Sequence, residues 1–107
     1  MMMQEETSPW KQGGEWLEGL RRAQQLTAAE LAEQVGAPSA RWVEEVEAGR
    51  RPVPSVLYAA YARQFGWASA DFAARCLGFY DPKAYEALFG LTAAAAAPIA
   101  AAVRNAA

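Results

Sequence analysis

Five of the ten basic side chains, Arg21, Arg22, Arg41, Arg50 and Arg51, fall between residues 21 and 51. A guanidinium is a planar fork of donors that matches two acceptors at once, the oxygens of a phosphate or O6 and N7 of guanine. Glu44 and Glu45 lie among them. Either carboxylate can accept a hydrogen bond from cytosine N4, and as a pair they are candidates for acid/base work. Neighbouring glutamates on a helix point in different directions, however, and nothing in the pattern predicts a pocket around them. There is no histidine, and Cys76 is the only cysteine. This removes thiolate and imidazole zinc sites, disulfide frameworks and every histidine-based triad. The chain is therefore expected not to be an enzyme and to need no metal or cofactor. Recognition of polar surfaces is the chemistry left.

The elements that must position these residues are marked by local signals. Thr27 followed by Glu30 is a capping box, so a helix is expected from Ala28, with Leu31, Ala32 and Val35 on its apolar face and Gly36 as its left-handed stop. Ser39 is the next cap. A second short helix follows, with Trp42, Val43 and Val46 turned inward and Gly49 at its end. So few residues join the two helices that they must cross steeply, the pattern of a helix-turn-helix. The outward set on the second helix is then Ser39, Ala40, Arg41, Glu44, Glu45 and Ala48. Of these Ser39, Ala40, Arg41, Glu44 and Glu45 are the candidate base readers, Arg41 first. Alternatively, the two glutamates form a solvated acidic face paired in part with Arg41 at helical spacing.

As a set, Leu31-Ala32, Gly36 and Val43-x-x-Val46-Glu47-x-Gly49 resemble the lambda-repressor-like, Xre/Cro family of helix-turn-helix transcriptional regulators. LEGLRRAQQL is similar to the family's first helix, RRPVPSVLYAAYARQFG to its loop and fourth helix, and the likeness spans about Glu15 to Leu77. The resemblance implies sequence-specific duplex binding, with the helix after Ser39 in the major groove and the loop carrying Arg50 and Arg51 on the sugar-phosphate backbone. Thr27, Arg21, Arg22 and Ser55 complete the candidate phosphate contacts, Arg21 and Arg22 being equally readable as solvated surface charge. Two departures stand out: the turn Ala37-Pro38-Ser39-Ala40 is one residue longer than usual, and Ala28 stands where the family often has a phosphate-binding glutamine.

The remaining chain reads as helices and flanks. Residues 1–14 hold Pro9 and paired glycines and are expected to be a flexible arm, whose Trp10 either docks on the core or meets DNA or a partner. Trp16, Leu17, Leu20 and Ala23 predict a first helix from about Glu15 to Gln25. Ser55 is expected to cap a fourth helix stopped at Gly66, and Ser69 to begin a fifth, SADFAARCL, in which Cys76 is a small buried hydrophobe. Asp81-Pro82 starts a sixth that ends at Gly90. The aromatic segment Phe79 to Phe89 is either core or the face of a homodimer. Residues 91–107 form an alanine-rich tail or linker interrupted by Pro98, as at the end of the DNA-binding part of a longer regulator.

The expected fold is thus all-α, a compact bundle of five to six short helices with its helix-turn-helix domain at residues 15–90. No apolar run approaches the ~20 residues that span a bilayer, and the acidic start MMMQEETS does not resemble a signal peptide, so a cytoplasmic, nucleoid-associated protein is expected. The net charge of −2 offers no bulk attraction to DNA, which leaves the local arginines to supply it. It also supports a second reading, a protein-interaction module whose acidic helix face meets RNA polymerase, its sigma factor or another regulator.

Overall fold

The computed structural model describes residues 8–90. Their elements are α1 (Pro9–Ala23), α2 (Ala28–Val35), α3 (Ala40–Glu47), a 3-10 turn (Ser55–Leu57), α4 (Tyr58–Phe65), α5 (Ser69–Tyr80) and α6 (Pro82–Phe89), with no strand among the described residues. The all-α class is therefore as expected. α2 packs chiefly on α3 and also on α4, α1 lies across α3 and α5, and α5 bridges α4 and α6. Leu17, Leu31, Val35, Val43, Val46, Val53, Tyr61, Phe72 and Cys76 meet in one buried core. An aromatic layer extends it, with Trp16 against Trp67, Phe72 and Phe79.

The first helix corrects the expectation of a flexible arm at residues 9–14. It begins at Pro9 rather than Glu15, because the Ser8 hydroxyl accepts a hydrogen bond from the Lys11 N–H at 3.1 Å and proline is pre-set for the first helical position. Residues 1–7 and the tail 91–107 lie outside the described residues. The paired glycines are not breakers here. A Cβ on Gly14 would collide with the carbonyl oxygen of Glu47, and one on Gly13 would come 2.9 Å from Cβ of Phe79. Both are buried in helix because α3 and α5 come too close for any side chain. Trp10 docks on the core, its indole N–H donating to the Tyr80 carbonyl at 3.2 Å and its ring standing edge-on to Tyr80.

One further start differs from expectation. Ser55 caps nothing: after the extended Pro54 the chain tightens into the 3-10 turn, and α4 begins only at Tyr58 without a side-chain cap. α5 begins at Ser69, as expected, after Ala68, which has no capping oxygen, but it runs past Leu77 to Tyr80. It stops where Pro82 disfavours the helical conformation of the residue before it. Asp81 serves both helices, closing α5 and accepting from the Ala84 N–H at 3.2 Å to open α6. α6 ends on the left-handed Gly90, as expected. No described helix is long and apolar enough to cross a membrane.

Candidate nucleic-acid interface

The capping box forms as the sequence suggests. Thr27 Oγ1 accepts from the Glu30 N–H at 3.0 Å, and Glu30 returns the bond to the Thr27 N–H at 2.8 Å. Gly36 ends α2 in the left-handed conformation, and Ser39 Oγ opens α3 by accepting from the Trp42 N–H. At the other end of α3 the N–H groups of Gly49 and Arg50 bond back to the carbonyls of Val46 and Glu45, the paired closure that a left-handed glycine permits. Gly49 is doubly constrained, since a Cβ there would lie 2.7 Å from Cα of Lys11 on α1.

One face of α3 is buried through Val43, Val46 and Glu47. The other presents Ser39, Arg41, Glu44 and Ala48 to solvent, with Ala40, Trp42 and Glu45 at its margins. The Arg41 side chain is 86% exposed and lies 3.5 Å from Glu45 Oε2. Arg51 reaches back from the loop to the same carboxylate, with Nε and Nη2 each 3.0 Å from Glu45 Oε1. Its guanidinium also lies over the Trp42 ring, 5.7 Å from the centroid. Arg50 is exposed and makes no salt bridge among the described residues. Glu45, not Glu44, is therefore the glutamate that pairs with Arg41.

The remaining candidates are placed less uniformly. Arg22 is exposed and paired with Glu18 one turn back at 2.7 Å. Thr27 and Ser55 are exposed, although the Thr27 hydroxyl oxygen is committed to its cap. Arg21 departs from the set: it points inward, with Nε and Nη2 2.7 and 2.9 Å from the two carboxylate oxygens of Glu47 and Nη1 2.7 Å from the Leu26 carbonyl. Only 12% of its side chain and 7% of that of Glu47 remain exposed. The bidentate bond to Glu47 raises the Arg21 pKa further, against the opposing cost of burial. As a phosphate contact Arg21 is withdrawn, because its donors are already spent inside the protein.

Glu47 and Trp42 are the members of this region that sequence reasoning undervalued. Glu47 continues the stripe of Val43 and Val46 at helical spacing, and Arg21 continues that of Leu17 and Leu20. Two opposite charges on two apolar stripes are the signal of a buried pair, since neither could be buried alone. In the aromatic segment, Tyr85 is core and Phe79 and Tyr80 are half-buried, whereas Leu88 is 70% exposed and Phe89 48%.

The fold and this face define a small all-helical domain that displays one arginine-flanked helix. No family model, curated protein or solved structure matches the chain.

Proposed function

We propose that the protein binds double-stranded DNA in a sequence-specific manner, as the DNA-binding domain of a bacterial or phage-type transcriptional regulator working at the nucleoid. The observation that carries this reading is α3: a capped helix with one side locked in the core and the other side exposed, bearing Arg41 at its start and Arg50 just past its end. A helix of this kind fits the major groove, and residues at its start reach base edges. Ser39, Ala40 and Arg41 then meet bases, with Glu44 available to cytosine N4. Arg50 lies on phosphate, flanked by Arg22, Thr27 and Ser55. The likeness of Leu31 to Gly49 to the Xre/Cro pattern supports the same reading.

The test is selection from a randomised duplex library at moderate salt, followed by titration of the enriched and a scrambled duplex. Arg41→Ala should relax preference at one or two base pairs, a change of about 1–3 kcal/mol in discrimination. Arg50→Ala should weaken binding to both duplexes and reduce the salt slope by about one. Unchanged affinity in both variants would refute the docking.

A second reading is favoured by Glu30, Glu33 and Glu44, which are exposed on α2 and α3. These carboxylates suit a basic protein surface such as RNA polymerase or its sigma factor. An intact, folded protein that enriches no duplex yet binds polymerase would support it. Should two copies act together, Leu88 and Phe89 on α6 are the apolar groups available to a homodimer, and half-sites would lie about one helical turn apart.

A further inference from the structure

Arg51 is held quite differently from its neighbour Arg50. Arg51 Nε donates to one oxygen of Glu45, Nη2 lies 3.0 Å from the same oxygen, and its guanidinium carbon sits over the Trp42 ring. A phosphate contact needs only a positive charge within reach, whereas a base edge needs a fork held in a fixed orientation. The other oxygen of Glu45 faces Nε of Arg41. One carboxylate thus lies between two guanidiniums and cancels the repulsion that would otherwise drive them apart. The Arg41 side chain remains 86% exposed and that of Arg51 46%, so both forks stay open to a ligand.

We infer that Glu45 is a positioning residue that holds Arg41 and Arg51 together on the exposed face of α3, and that Arg51 is a second base reader rather than a phosphate contact. This rests on the DNA-binding reading and narrows it. The recognised duplex carries two guanines on one face of the major groove, one for each fork. Trp42 is the shelf that orients the second fork. Glu45 is thereby assigned to the two arginines rather than to cytosine: Oε1 accepts from Arg51 and Oε2 faces Arg41. The acidic character of α3 is locally offset, leaving Glu44 as the carboxylate of this face with no salt bridge among the described residues.

Two variants separate this arrangement from an ordinary surface ion pair. Arg51→Lys keeps the charge and loses the fork, so the ratio of selected to scrambled affinity should fall roughly fivefold to a hundredfold while the salt slope stays the same. Glu45→Gln removes a negative charge and releases both arginines, so the scrambled duplex should bind more tightly while that ratio falls. Replacing the guanine assigned to Arg51 by 7-deazaguanine, which lacks the N7 acceptor, should weaken the wild type and leave Arg51→Ala, which has no donor there, unaffected at that position. An Arg51→Lys variant that keeps the full ratio, with Arg51→Ala weakening both duplexes alike, would overturn the inference and leave Arg51 on phosphate. A folded wild type that prefers no duplex would instead overturn the DNA-binding reading itself.

Discussion

Glu47 and Arg21 make the strongest single demand on the sequence, because each is acceptable in the interior only while the other is present. Removing one partner of a buried pair strands the other, and Glu47→Ala should cost about 3–5 kcal/mol in urea unfolding. Arg22→Ala, which breaks the exposed pair with Glu18, should cost under about 1 kcal/mol. Equal losses in the two variants would show that the inner pair is no better shielded than the outer one. The arginines in and around α3 were legible as residue types, since only their chemistry was needed to name them. Their allocation was only partly so: Arg21 continues the stripe of Leu17 and Leu20 and Arg22 does not, but the partner that lets Arg21 turn inward, Glu47, lies across a helix contact that no local pattern encodes.

At the scale of elements, the legible boundaries were those made by residues acting on their own backbone. Thr27, Gly36, Ser39, Asp81 and Gly90 each do in the structure what their side chains or freedom of φ suggested. Thr27→Ala should accordingly destabilise by about 1 kcal/mol. The start of α1 was illegible, because the meaning of Gly13 and Gly14 lies in the helices opposite them. Three glycines test this distinction by thermal unfolding. Gly14→Ala forces α1 off the Glu47 carbonyl and should be the most damaging of the three. Gly36→Ala has open space but a φ of +79°, and should cost about 1–2 kcal/mol. Gly19 has open space and an ordinary helical backbone, so Gly19→Ala should raise stability by about 0.5–1 kcal/mol. A destabilised Gly19→Ala would contradict the packing described for α1.

For the molecule as a whole, the interior sets its tolerance of alkali. Burial pushes the Cys76 thiol up to about 12 from an ordinary value of 9.0, and Tyr58 up to about 12 from 10.0. Burial also raises Tyr61 and Tyr80. Between the unfolded and folded values the native state holds protons that the unfolded chain has released, so stability is intact below about pH 9 and falls as pH rises above it. Urea midpoints measured from pH 8 to 11 should decline, and Cys76 should react with a thiol reagent only on unfolding. The six-helix architecture itself could be read from the spacing of apolar residues and caps. The face of α3 could be read only in part, because the three-way contact of Arg51, Glu45 and Trp42 depends on where a proline-rich loop turns back. Along α1, Gly14, Leu17 and Arg21 occupy one stripe, each seated on a partner that cannot shift. That stripe works as a ruler of fixed pitch, with three marks that must all align. Losing a single codon between Gly14 and Leu17 would rotate one half of the helix against the other by about 100° and carry Lys11 away from Gly49. The outer face of α1 should accept many changes of letter; its length should accept none.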